Sequence, residues 1–127
     1  MARRMMMLAA FVLFAGLMSV TIAQDQTVQL AKRVTFKGPL MEKMCYDMHK
    51  DDIDSFSKDH TKECLVSCGS SDGFGIVAEG KYVPFDAEGN KKAKALLEKT
   101  TKDKNIVVEV EGALKDGVLK VTSLKET

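Results

Sequence analysis

Five short segments with strand patterning, one amphipathic helix between the third and fourth of them, and a polar insert after the first predict a mainly β domain of the α+β type. This order is that of a five-stranded OB-like barrel with a helix between strands three and four. A short helix that carries cysteine and histidine would then lie between strands one and two. A plain α+β sheet with the same order of elements is the alternative that the sequence leaves open.

The first strand is predicted from Val34 to Leu40, where apolar and polar residues alternate. A bend is expected at Gly38-Pro39, because proline cannot donate a hydrogen bond to a central ladder. Residues 46–58 are polar and are predicted to be irregular. A short helix follows up to Cys68, with Asp59 as its N-cap and Gly69 as its stop.

The second half of the chain alternates clearly between strand and helix patterns. The runs GFGIVAEG and KYVPFDAEG predict a hairpin with a glycine-containing turn. An amphipathic helix is predicted next from the i, i+3, i+4, i+7 stripe of Ala93, Leu96, Leu97 and Thr100. The runs IVVEVEG and VLKVTSL predict the last two strands, because a Lys-Asp-Gly turn joins them.

The chain begins with the pattern of a secretory signal peptide. Arg3 and Arg4 precede a segment without charge from Met5 to Ala23, and small residues lie at its end. We predict a signal peptide over residues 1–23, a flexible segment over 24–32 and one OB-like domain over 33–127. An uncleaved membrane anchor is the alternative. Cleavage would place the protein in the periplasm or outside the cell, with no remaining membrane segment.

Charge and motifs exclude several classes of function. Removal of residues 1–23 takes away two arginines and no acids, which changes the net charge from +1 to −1. Proteins that bind nucleic acid by neutralising phosphates carry a basic face, so no nucleic-acid partner is expected. The chain also has no Ser-His-Asp pattern and no phosphate-binding glycine loop, and we do not expect an enzyme.

The segment DHTKECLVSC concentrates the chain's reactive side chains. The protein has only three cysteines and two histidines, and His60, Cys64 and Cys68 would form one row on a helix because they are four residues apart. Cys45, upstream, could complete a Cys3His set. Such a set binds zinc, and its thiolates would also suit copper(I). The spacing therefore indicates a metal site for zinc or copper.

Two other interpretations of the cysteines stay open. In an oxidising compartment Cys45 could form a disulfide with Cys64 or Cys68, which would tie the insert to the sheet and leave a structural domain that binds a protein or another partner. Alternatively, Cys64 could act as the attacking thiol of a thiol oxidoreductase. The aromatic residues Phe74 and Tyr82, with Phe85, could form a binding face on strands two and three, or belong to the core.

The pattern of a strand that ends in cysteine, then H-T-x-x-C-x-x-x-C, then G-[FY]-G and a GK-aromatic strand resembles a family of small exported bacterial proteins of unknown function. The resemblance covers about residues 33–125 and implies an OB-like barrel. The positions that match its motif are Cys45, His60, Thr61, Cys64, Cys68, Gly73 and Gly75. Since the family brings no ligand, the prediction is an exported binding module whose partner is an unknown protein or small ligand.

Overall fold

The computed structural model describes residues 31–127, and the predicted signal peptide lies outside the described residues. The five strands form one antiparallel sheet in the order β3-β2-β1-β4-β5. Their bounds are β1 Lys32–Glu42, β2 Phe74–Ala78, β3 Lys81–Pro84, β4 Val107–Lys115 and β5 Val118–Glu126. The mainly β prediction is therefore confirmed. The first strand begins inside the segment that the sequence predicted to be flexible.

Within residues 31–127 four helices accompany this sheet, and two of them occupy a segment that was predicted to be irregular. Their bounds are α1 Lys43–Met48, α2 Ile53–Asp59, α3 Lys62–Asp72 and α4 Ala87–Lys99. The polar segment 46–58 was expected to be irregular, but most of it is helical in α1 and α2. The side chains of Cys45 and Ile53 explain this, because each helix buries at least one residue against the sheet.

The position of α3 also differs from the prediction. The helix begins after Thr61, whose Oγ1 accepts a hydrogen bond from the Cys64 N–H at 3.2 Å, so Asp59 is not its N-cap. Gly69 does not end the helix either. It is buried within α3, where a β-carbon would overlap the ring of Phe74. The helix ends instead at Gly73, whose φ of 76° favours glycine.

The central strand β1 changes its partner along its length. Lys32–Pro39 pairs with β4, and the last three residues, Leu40–Glu42, pair with β2. The change occurs at the predicted Gly38-Pro39 bend. There a β-carbon at Gly38 would overlap the backbone carbonyl of Val77. This change of partner lets β1 end beside β2, next to the inserted helices.

Two hydrophobic clusters hold the helices on the sheet. The main core joins the strands to α3 and α4, and its buried members are Leu40, Leu65, Phe74, Ile76, Phe85, Ala93, Leu97, Ile106, Val108, Val110, Leu119 and Val121. A smaller cluster contains Met41, Cys45, Ile53 and Val77. Met41 and Val77 follow Leu40 and Ile76 directly, so the two clusters lie on opposite faces of the sheet. The smaller cluster fixes α1 and α2.

The predicted amphipathic helix is confirmed as α4, and the structure also links its start to the last strand. Asp86 caps the helix, because its Oδ1 accepts a hydrogen bond from the Gly89 N–H at 2.9 Å. The same oxygen accepts a second bond from the Val121 N–H in β5 at 3.1 Å. One aspartate therefore accepts hydrogen bonds from backbone N–H groups of both a helix start and a strand. No helix between residue 31 and the C-terminus is long and apolar enough to cross a membrane.

The two edge strands of the sheet approach each other at one point. An isolated parallel bridge joins Phe85, just after β3, to Leu119 in β5. Beside it, the Asp86 N–H donates to the Leu119 carbonyl at 3.0 Å. The strands β3 and β5 are otherwise the two edges of the five-stranded sheet.

Candidate metal centre

Three polar side chains are buried together where β1 ends. Glu42 has no exposed surface, His60 is 4% exposed and Cys45 is 7% exposed. One donor atom from each (a carboxylate oxygen, a ring nitrogen and the sulfur) lies within 4.8 Å of the other two. Buried charged side chains are rare unless they are paired or coordinate a metal. This triad, Glu42, Cys45 and His60, is therefore the candidate site.

The strand-to-helix junction brings Glu42 and Cys45 together. Glu42 is the last residue of β1 and also the N-cap of α1. Cys45 follows three residues later, in the first turn of that helix, where a side chain points back towards the cap. Its Sγ contacts Glu42 Oε1 at 3.4 Å as a weak thiol donor. A local element thus fixes two of the three donors.

Contacts with a distant loop position His60. The residue links α2 to α3 with an extended backbone, and its carbonyl accepts a hydrogen bond from the Asn105 N–H at 3.0 Å. The Lys62 N–H donates to the Asp103 carbonyl at 2.7 Å, and Thr61 forms an isolated bridge with Lys104. The loop before β4 therefore fixes the backbone on both sides of the imidazole.

Two of the atoms in the triad that could bind a metal ion, Glu42 Oε2 and His60 Nε2, have no hydrogen-bond partner. Glu42 Oε1 and His60 Nε2 lie 3.2 Å apart, but their angles are wrong for a hydrogen bond, and both Nε2 and Glu42 Oε2 stay unpaired. Nearly all buried polar atoms are paired in folded proteins, and each unpaired one costs about 1–3 kcal/mol. A cation among these atoms would satisfy both of them. The donor atoms thus fit a metal ion.

The pKa values of Glu42 and Cys45 shift in opposite directions, which favours a carboxylate at Glu42 and a protonated thiol at Cys45. Burial, followed by the negative charge of Glu42 and their hydrogen bond, raises the pKa of Cys45 to about 12. Burial also acts to raise the pKa of Glu42, but its contact with His60 outweighs this effect, so the pKa is lowered below its usual value. A metal ion would therefore find a carboxylate at Glu42 and would displace the proton of Cys45.

Apolar and aromatic side chains enclose the triad. Met41, Ile53 and Val77 pack around Cys45. The ring of Phe56 lies 5.1 Å from that of His60, and it also stacks on His49 with 3.6 Å between ring centroids. This shell lowers the local dielectric constant, which strengthens the interaction of an ion with charged ligands.

The structure unites only part of the predicted Cys3His set. Cys45 and His60 meet, but Cys64 is exposed and Cys68 is half-buried, both on α3, and neither belongs to the triad. The predicted single row from residue 60 to 68 is wrong, because α3 begins after His60. The helix turns Leu65 and Gly69 into the core, which leaves the two cysteines on its flank.

The cysteines also bear on the disulfide interpretation. All three are free thiols, so the described residues contain no disulfide between Cys45 and either Cys64 or Cys68. The thiol oxidoreductase interpretation stays a prediction. Cys64 is the exposed thiol of the three, as an attacking group would need to be.

The aromatic binding face is mostly core. Phe74 and Phe85 are each 5% exposed and pack in the main core. Tyr82 is partly buried and stacks on Tyr46, with 5.4 Å between the ring centroids. The edges of all three predicted residues still line a groove of about 650 Å³ together with Lys43 and other side chains. Burial in the core accounts for Phe74 and Phe85, and the binding face stays a prediction.

Sequence reasoning missed Glu42. The usable signal was an acidic residue at the end of an apolar alternating strand, three residues before a cysteine (MEKMC). A glutamate there must either reach solvent or find a buried partner. The partner is His60, which comes from another part of the chain.

The triad has the composition of a transition-metal site. Zinc accepts thiolate, imidazole and carboxylate ligands, and catalytic or exchangeable zinc sites often have three protein ligands and one open position. Comparisons with protein-family models, with curated proteins and with solved structures find no match to this chain. The triad is therefore the feature from which a function is inferred.

Proposed function

We propose that the protein is a small exported binding module for a transition-metal ion. The ion is held by Glu42, Cys45 and His60, and zinc fits this set best. The observation that carries the proposal is the convergence of three buried donor groups, of which two keep a donor atom without a hydrogen-bond partner. Export rests on the signal-peptide pattern of residues 1–23.

Ligand chemistry favours zinc over copper(I) at this triad. A site with one sulfur, one nitrogen and one oxygen donor suits a borderline cation. Copper(I) prefers soft thiolate and thioether ligands, and the carboxylate of Glu42 is a hard one. A site that also recruited the thiols of Cys64 and Cys68 would shift the preference towards copper(I).

The fold to which we assign the site is the OB-like barrel that the sequence predicts. The order of five strands, the position of α4 between β3 and β4 and the parallel bridge between Phe85 and Leu119 support it. In this architecture the helices between β1 and β2 border the usual binding face. The resemblance to the exported bacterial family implies the same OB-like barrel.

Zinc titration of the metal-free, reduced protein tests the proposal. We expect about one zinc ion per chain, bound with loss of the Cys45 proton, since metal binding releases protons from its ligands. His60→Asn should weaken binding strongly. The matched control is His49→Asn, because His49 is the only other histidine of the chain and lies outside the triad.

Two results would contradict the proposal. The first is a protein that binds no zinc under reducing conditions. The second is binding that His60→Asn leaves unchanged, because the metal would then lie elsewhere. Circular dichroism of each variant shows whether the fold is retained, which separates loss of a ligand from loss of structure.

A further inference from the structure

Two further thiols lie beside the candidate metal centre. Cys64 and Cys68 occupy successive turns of α3, so their β-carbons are about 5–6 Å apart. Helix α1, which carries Cys45, contacts α3. The exposure of the three sulfurs is graded, because Cys64 is exposed, Cys68 is half-buried and Cys45 is buried.

Helix α3 begins two residues after His60 and contacts α1, which carries Cys45, so its thiols lie close to the triad. Both contribute to the raised pKa of Cys45, after burial and the effects of Glu42, and Cys68 contributes more than Cys64. Exposure to solvent thus decreases from Cys64 through Cys68 to Cys45.

Burial creates a difficulty for an ion that approaches the triad. The side chain of Glu42 is completely buried, and that of His60 is 3% exposed. An ion from solvent must lose water before any of these donors can replace it, and dehydration of a cation in an apolar shell is costly. Ligands at the surface that replace water early would lower this barrier.

We propose that Cys64 and Cys68 form a capture site that receives the metal ion and passes it to Glu42, Cys45 and His60. This inference rests on the proposed function. No oxidation state changes during the transfer. Bonds from the ion to the α3 thiolates are exchanged for bonds to the triad, the released thiolates take protons from water, and Cys45 gives up its own proton to water.

The two thiols suit capture better than final binding. They lie outside the group of ligand atoms that are within 4.8 Å of one another. Cys64 and Cys68 are one helical turn apart, and a single ion can bridge the gap between their sulfurs. Thiolates also bind zinc and copper(I) selectively over the hard cations of the medium. The pair would thus select the ion before it enters the apolar shell.

Rates of zinc uptake test the route. Metal-free, reduced protein is mixed with zinc in a stopped-flow instrument, with a chromophoric chelator as the reporter, and the affinity is measured separately. Cys64→Ser and Cys68→Ser should each slow uptake about tenfold or more, because a transient ligand is lost from the barrier. Release should slow equally, and the affinity should change less than about threefold. Ser67→Ala, at an exposed position between the two cysteines, should match the wild type.

The possible outcomes separate the route from the site. Unchanged uptake rates in both cysteine variants would overturn the route, while zinc binding would keep the proposed function. A large loss of affinity in Cys68→Ser would also overturn it, because Cys68 would then be a ligand in the final site. If the wild type takes up no zinc, or if His60→Asn keeps the wild-type affinity, both the function and the route are wrong.

Discussion

Replacement of Glu42 by glutamine tests whether its carboxylate binds a metal ion. The side chain keeps its size but loses its charge, and an amide is a much weaker ligand for zinc. The change also alters the metal-free protein, since Glu42 faces His60 at 3.2 Å in a buried pair. For this reason the informative quantity is the increase in melting temperature that zinc produces in each variant, and not the melting temperature itself.

The expected size follows from linkage between binding and folding. Zinc at 100 times its Kd stabilises the folded state by about 2.7 kcal/mol, which raises the Tm of a domain of about 100 residues by about 10–20 °C. Loss of a partner that only orients a ligand already weakens metal affinity by about 10–100-fold. If loss of the carboxylate itself weakens it about 100-fold, the same zinc concentration stabilises the variant by only about 0.4 kcal/mol. Its Tm then rises by about 2–3 °C.

Thermal unfolding followed by far-ultraviolet circular dichroism measures these shifts. Each protein is melted with and without zinc, under a reductant that does not bind the metal. Glu63→Gln serves as the matched control, because Glu63 is an exposed acid on α3. The control should show the full shift. A Glu42→Gln protein that also shows the full shift would refute the assignment of its carboxylate as a ligand.

Three further predictions concern the thiols and the packing. At neutral pH iodoacetamide should modify Cys64 much faster than Cys45, because Cys45 is buried and its pKa is about 12; peptide mass mapping over time measures this, and equal rates would contradict the burial. Gly69→Ala should destabilise the protein by about 1–3 kcal/mol in urea unfolding, since the methyl group would overlap the ring of Phe74; an unchanged midpoint would contradict the close packing. Asp86→Ala should cost about 1–2 kcal/mol in the same assay, because one oxygen accepts hydrogen bonds from both the start of α4 and β5; a loss no larger than that of an exposed alanine substitution would show that the two bonds contribute little.

Local patterns predicted the strands and α4 well. The run IVVEVEG was predicted to be a strand, and its alternate residues Ile106, Val108 and Val110 are all buried. The turn at Asp116-Gly117 is present, with positive φ at both residues. These features depend on neighbours in the sequence, and alternation or a helical stripe records them directly. Contacts between distant strands, such as the bridge between Phe85 and Leu119, leave no mark in such patterns.

The polar insert shows where local patterns fail. Its helices α1 and α2 are only six and seven residues long, and short helices of this kind gain most of their stability from tertiary packing. Cys45 and Ile53 supply that packing against Met41 and Val77. Nothing in the polar run 46–58 records the existence of this second apolar surface, so the segment resembled a loop.

The candidate site was predicted in part. Cys45 and His60 were expected in one site because cysteine and histidine are scarce in this chain. The helical row that was to join His60 to Cys64 fails, since Thr61 caps α3. The partnership of Glu42 and His60 joins a strand end to a loop, and sequence spacing does not encode such a long-range contact. Glutamate is also too common for its type alone to mark a ligand.

X-ray absorption spectroscopy of the zinc-loaded, reduced protein tests the central claim most directly, because it counts the sulfur ligands of the ion. Coordination by Glu42, Cys45 and His60 predicts a single sulfur at about 2.3 Å, with nitrogen and oxygen ligands at about 2.0–2.2 Å. A first shell with three sulfurs would instead place Cys64 and Cys68 on the ion. A shell without sulfur would show that zinc does not bind at this triad.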